Sequence, residues 1–268
     1  MDAILSLFTE VTVNGFALWV VLLICVGVFL ASFMDAIAGG GGIISVPTYL
    51  IAFGDLPAYY ALGTNKLSAG IGTVFSTARF IRQGYVRWKL FAPAIVLALA
   101  GSMCGTWLQL HTPDVVLKYL LLAVLPVVAV VTLRNRSWPD EPGDIDFRTQ
   151  AAIVWAASFL VGGYDGYYGP GTGTFLIIAF TVFAKLGIKT ANGQTKVINL
   201  TTNITSLVIF ILHGQTVFLI GIPCAICNMI GNYIGAGLMM KNGMKIVRPS
   251  ILVVLVLLAI KVVSEYIL

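Results

Sequence analysis

Apolar residues in this chain run in long continuous blocks, cut by glycine, proline and charge, with no sustained alternation of apolar and polar positions. The cuts leave ten segments, roughly 16–38, 43–54, 57–83, 88–109, 114–133, 150–168, 172–186, 188–212, 216–239 and 248–266. Blocks of this kind predict helices in lipid, where every backbone group must be satisfied within its own segment; the ten-residue alternation of an outer-membrane barrel is missing. Two segments are short. Residues 43–54 would make a helix about 18 Å long at 1.5 Å per residue, against a hydrocarbon core of about 30 Å. The glycine-rich runs Gly39–Gly42 and Gly169–Gly173 must supply the rest of those crossings, and irregular backbone at that depth has to be covered by protein or by a watery cavity. A cavity at the two breaks is therefore expected.

The segments repeat. At one fixed offset Asp35 matches Asp165, Gly39 matches Gly169, Lys66 matches Lys196, Pro93 matches Pro223, and Gly101 and Gly105 match Gly231 and Gly235. The long polar stretch from Arg134 to Gln150 reads as a linker, which divides the chain into a first repeat (1–133), a cytoplasmic linker (134–149) and a second repeat (150–268). Five crossings per repeat force the second to enter the membrane from the opposite side, so the expected fold is all-α and polytopic, two inverted five-helix repeats with broken segments at the glycine runs. Positive charge agrees if both termini lie outside. The loops then inside carry Arg79, Arg82, Arg87 and Lys89, Arg134, Arg136 and Arg148, Lys185 and Lys189, and Lys241, Lys245 and Arg248. Those outside, around Asp55, His111–Asp114 and His213–Thr216, carry no Lys or Arg.

Composition strengthens the membrane reading: 59% of residues are apolar, only 10% are charged, and mean hydropathy is +0.96. The first apolar run lacks a basic flank before it and reads as a retained helix, not a signal peptide. The net charge of +5 is scattered at segment ends, as topology signals are, and forms no nucleic-acid stripe. Cys224 and Cys227 have redox spacing but no second pair or His pair, so no metal or cofactor is expected.

Charge inside the segments is costly and marks function. Lys66, with Thr64 and Asn65, and Lys196, with Gln194 and Thr195, make a donor set suited to an anion with several oxygens. Helix starts near Gly41 and Gly42 and near Gly171 and Thr172 would add backbone N–H groups to the same cavity. The two lysines are expected to converge on one substrate from opposite sides. The other reading pairs each lysine with its own repeat's aspartate. Asp35 and Asp165 either cap backbone N–H groups at the breaks or take up protons as coupling sites. Gly101-x-x-x-Gly105 and Gly231-x-x-x-Gly235 are expected to be helix-packing motifs.

Phe33-Met34-Asp35-Ala36-Ile37-Ala38-Gly39-Gly40-Gly41-Gly42 with Ser45-Val46-Pro47, Thr64-Asn65-Lys66, Tyr164-Asp165-Gly166-Tyr167-Tyr168-Gly169-Pro170-Gly171-Thr172-Gly173 and Thr195-Lys196 resemble the signature stretches of the TauE/SafE sulfite exporters, permeases of the bacterial inner membrane. The resemblance covers nearly the whole chain. It implies secondary transport, generally export, of small sulfur-containing anions such as sulfite or organosulfonates, in a bilayer and without catalysis. The sequence leaves open which anion, whether protons are the coupling ion, and the oligomeric state. Two other classes stand beside this one: an anion channel using the same site as its filter, and a membrane enzyme acting on a sulfur compound through Cys224 and Cys227.

Overall fold

A computed structural model describes residues 12–13, 16–54, 56–113, 115–116, 119 and 141–242. Segments 114–133 and 248–266, both termini and the first half of the linker thus lie wholly or almost wholly outside the described residues. A two-residue antiparallel pair, β1 (Thr12–Val13) with β2 (Phe16–Ala17), precedes helices only. These are α1 (Leu18–Ala38), α2 (Gly42–Phe53), α3 (Ala58–Arg82), α4 (Trp88–Leu110), α5 (Phe147–Tyr167), α6 (Thr172–Ile178, continued by a π-turn over Ala179–Phe183), α7 (Ile188–Leu212) and α8 (Phe218–Asn242). Helices α3 and α7 are both 25 residues long, and their two ends keep the offset of the sequence repeat.

Four of these helices, α1, α4, α7 and α8, are long and apolar enough to cross a membrane. The other four differ for two physical reasons. Helices α2 and α6 are short apolar pieces that follow the breaks. Helices α3 and α5 have the length, but polar side chains turned inward dilute them: α3 buries Thr64, Asn65, Lys66, Ser68, Thr73, Ser76 and Thr77. The outer surface is the reverse, with Leu23, Val26, Val96, Trp107, Leu160, Val208 and Ile226 all exposed. Apolar outside and polar inside is the distribution of a multi-pass membrane protein, whose outer face meets lipid.

The packing does not follow chain order. Helix α1 lies along α8, α3 packs on α8 as well, and α2 fills in against α1 and α3; α5 lies along α4, with α6 and α7 beside them. The neighbours in sequence α3 and α4, and likewise α7 and α8, make almost no contact. Two bundles result, each made of three helices from one half and the fourth from the other. Each has a core of its own, with Ile24, Val28, Tyr49, Phe53, Ala61, Ile220 and Cys224 in the first and Phe91, Ala98, Val154, Leu176, Phe180 and Ile198 in the second, and two further clusters, around Leu62 with Phe210 and around Phe80 with Ile177 and Ile188, pack bundle against bundle.

The glycine motifs explain the exchange. A Cβ at Gly101 would overlap the carbonyl oxygen of Phe159 on α5, and one at Gly231 would crowd the carbonyl oxygen of Phe29 on α1. Gly105 meets Gly163 O, and Gly235 meets Phe33 O. Each contact is the other moved by the repeat offset with the halves exchanged. Only hydrogen at these positions lets the backbones approach so closely.

Candidate functional site

Between the bundles lie the two breaks. Helix α1 ends at Gly39, whose φ of +76° is a left-handed conformation open to glycine at little cost, and whose N–H donates to Asp35 O at 2.8 Å. The second break turns at Gly169 (φ +101°) and Gly171 (φ +82°). The breaks touch: Thr174 donates through its N–H to Gly39 O (3.1 Å) and through Oγ1 to Ala38 O (3.2 Å), and Gly42 lies against Gly169 and Pro170. A backbone N–H of α6 that was expected to face an anion is therefore spent on the carbonyl end of α1. Asn192 of α7 completes that end, donating Nδ2 to Ala36 O and Ile37 O.

Two ion pairs cross from bundle to bundle. Lys66 Nζ on α3 donates to Asp165 Oδ2 (2.8 Å) and Asp165 O (2.9 Å) on α5; Lys196 Nζ on α7 donates to Asp35 Oδ2 and Asp35 O on α1, both at 2.5 Å. These too are one contact repeated at the offset of the sequence. The alternative reading, in which each lysine takes its own repeat's aspartate, is corrected by this geometry: the pairs form between repeats. The ends of α1 and α5 lie at the boundary between the bundles, so each carboxylate meets the lysine of the opposite bundle, which belongs to the other half.

A cavity with about 50 Å³ open to water-sized molecules lies at this junction, enough for a few waters or one small oxyanion. Its wall carries Lys66, Asp35 and Asp165; the amides of Asn65, Asn199, Asn203, Asn228 and Asn232; and the hydroxyls of Ser32, Ser45, Thr73 and Thr172. Backbone is exposed to it at Gly41 and Gly42, where α2 begins. Lys196 is absent from the wall. Its side chain is 0% exposed and lies behind Asp35, whereas Lys66 reaches the cavity directly.

The residues expected to bind substrate thus separate. Lys66, Asn65, Gly41, Gly42 and Thr172 come together on the wall. Thr64 instead accepts the N–H of Val217 at 3.0 Å through Oγ1, fixing the chain as it enters α8. Gln194 and Thr195 are fully buried on α7 away from the cavity, and among the described residues no hydrogen bond reaches either side chain. Gly171 makes the turn into α6. Asp35 does cap: its Oδ1 accepts the N–H of Gly41 at 3.3 Å, while its Oδ2 holds Lys196.

Sequence reasoning missed Asn228 and Asn232. Their signal was present, because two amides four residues apart in a lipid-spanning helix share one face and cannot be left facing hydrocarbon. Cys224, noted in the sequence for its spacing to Cys227, has its Sγ 3.8 Å from that of Cys25 on α1.

A family model described as sulfite exporter TauE/SafE matches residues 23–262. A "Probable membrane transporter protein ORF9" of a Sinorhizobium species is 32% identical over 90% of this chain and 91% of its own length. A "Probable membrane transporter protein" of Haemophilus influenzae is 30% identical over 91% of this chain and 94% of its own, and YfcA of Escherichia coli K12, with the same description, is 32% identical over 88% and 87%. No solved structure matches. With a polar, charge-bearing cavity between two broken helices and a family match over nearly its whole length, the chain is a membrane transporter protein and belongs to the TauE/SafE sulfite exporter family.

Proposed function

We propose that the chain is a secondary transporter, an exporter in the bacterial inner membrane, of sulfite, an organosulfonate or a related small sulfur oxyanion, built from two inverted repeats and working by alternating access. The observation that carries the reading is the cavity wall at the breaks: one ammonium, Lys66, among five asparagine amides and several hydroxyls, donors that suit a compact anion with three oxygens. The bodies that rock against each other are the two exchanged bundles and not the two halves of the sequence. The largest apolar core and the one around Tyr49 each lie within a bundle, while both ion pairs and the facing sides of α3 and α7 lie between bundles, so the boundary carries most of the buried charge. Asn65 and the start of α2 at Gly42 orient the anion, and Lys66 supplies its charge.

The test is flux of labelled sulfite and of sulfonates in proteoliposomes. A carrier gives saturable uptake with counterflow, and Lys66→Met lowers it at least tenfold at unchanged protein incorporation. Undiminished flux in that variant, or flux proportional to concentration without saturation, would sink the anion-site and carrier assignments respectively. A wild-type protein that moves none of the sulfur oxyanions would refute the substrate class.

A further inference from the structure

The cavity wall carries more negative than positive charge, which is at odds with an anion site until a proton is counted. Two carboxylates and one ammonium face the space, and the fourth charge, Lys196, is sealed behind Asp35. Lys66 has three N–H donors. Two are engaged by Asp165, and an anion accepting the third would lie beside the Asp165 carboxylate in a medium that screens poorly.

We infer that Asp165 takes up a proton when the anion binds, a reading that rests on the transport function proposed above. The two aspartates differ in how they are held. Asp35 accepts on both carboxylate oxygens, Oδ2 from Lys196 and Oδ1 from the Gly41 N–H, so a proton there must displace a donor that the break needs. Among the described residues, the hydrogen bonds found on the Asp165 carboxylate all come from Lys66, through Oδ2.

The other groups facing Asp165 do not compete. Lys66 comes from α3 and Tyr164 from its own helix, where the hydroxyl donates to Pro170 O; Asp35 stands across the cavity on α1, and Lys196 of α7 is engaged by Asp35. Helices α2, α6 and α8 contribute only uncharged groups to the cavity: Ser45, Thr172, Asn228 and Asn232 with the glycines. A proton from the aqueous phase adds to the Asp165 carboxylate, no other bond is made or broken, and Lys66 remains an ammonium. The carboxylate that repelled the anion becomes an O–H donor, and Lys66 is released to it. Anion and proton then raise each other's affinity by the same factor, as linkage requires, so binding tightens as pH falls through the range in which Asp165 protonates.

The experiment is infrared difference spectroscopy of the purified protein across pH steps, with and without isethionate, a sulfonate whose own charge is constant over the range. A carboxylic-acid carbonyl band should grow as pH falls, persist in Asp35→Asn, vanish in Asp165→Asn and appear at higher pH when the sulfonate is present. Its affinity should rise by up to tenfold per unit of acidification in wild type and stay flat in Asp165→Asn. If Asp165→Asn fails to fold, the charge-neutral pair Lys66→Gln with Asp165→Asn replaces it for the carbonyl band alone, since Lys66 holds the anion. A band that survives loss of Asp165, that disappears with Asp35, or that is absent at every pH where flux occurs overturns the inference. If the sulfonate shifts nothing and no sulfur oxyanion is transported, the substrate reading fails while the acid band still decides whether Asp165 takes the proton.

Discussion

The two bundles share a frame and differ in what fills it. In both, the first helix of one half lies on the fourth helix of the other through a pair of glycines, and in both a lysine from the third helix reaches an aspartate across the interface. Yet Lys66 opens onto the cavity while Lys196 is sealed. Around the second lysine the protein is stitched shut: Thr77 of α3 donates to Lys196 O at 3.0 Å, and Asn192 one turn earlier caps α1. Symmetric contacts therefore do not impose symmetric roles. One ion pair opens onto the cavity, and the other holds the end of a helix.

Removing each lysine in turn tests that contrast most severely. Lys196→Met leaves Asp35 without its ammonium at the end of α1, with an expected loss of about 3–5 kcal/mol of stability, the cost of breaking a buried pair from one side. Restoring neutrality with Asp35→Asn should recover a large part of it. Lys66→Met removes the charge beside a cavity that can hold water, so its thermal unfolding temperature should fall less while flux falls more. Thermal denaturation in detergent and proteoliposome flux, measured on the same preparations, check both. Equal destabilisation by the two substitutions would mean that the cavity does not distinguish the pairs.

Much of the frame was legible in the sequence, because its signals are residues that apolar composition does not supply by chance. The fixed offset of Asp, Gly, Lys and Pro predicted the two breaks and the matched lysines, and the small-residue spacing in segments four and nine marked the packing glycines. What the pattern could not provide is the partner. An offset assigns equivalent positions, and Lys66 with Asp35 satisfies it as well as Lys66 with Asp165; only the meeting of the helix ends across the bundle boundary decides. The same limit explains Gln194 and Thr195, which share the helix of Lys196 but not its direction. Asn228 and Asn232 were missed for the opposite reason, since they lie far from the motif in sequence and reach the cavity only because α8 packs into the other half's bundle.

A smaller effect is expected from the glycines that make the exchange possible. Gly105→Ala would set its methyl against Gly163 O and within 2.8 Å of Tyr167 N, all of it backbone. Gly235→Ala meets Phe33 O at 2.5 Å and the Ala36 Cβ at 2.9 Å, contacts that are too close but longer than the one to Gly163 O at Gly105. Both should destabilise, by about 1–3 kcal/mol as overpacking does, with Gly105→Ala the worse. Thermal unfolding of the two variants ranks them, and the reverse order would show that the first bundle is the more rigid.

The smallest expected effect concerns a contact that only one bundle has. Arg79 of α3 donates through Nη1 to Tyr233 O at 2.6 Å and lies with its guanidinium 4.3 Å from the Tyr233 ring centroid, tying α3 to α8. The equivalent position in the second repeat is Ile209, which can make neither contact. Arg79→Lys keeps the charge that a basic loop contributes to topology but loses the planar stack and the fixed direction of the donor. About 1 kcal/mol should be lost, the scale of such a contact at a partly exposed site, and Ile209→Val should cost no more than the methylene it removes. Both residues lie away from the cavity wall, and the Arg79 contact lies within a bundle and not between bundles. Sulfite flux per folded molecule should therefore be unchanged in Arg79→Lys. A fall in flux without a fall in stability would mean that α3 and α8 move against each other during the cycle, and that the two bundles are not the bodies that rock.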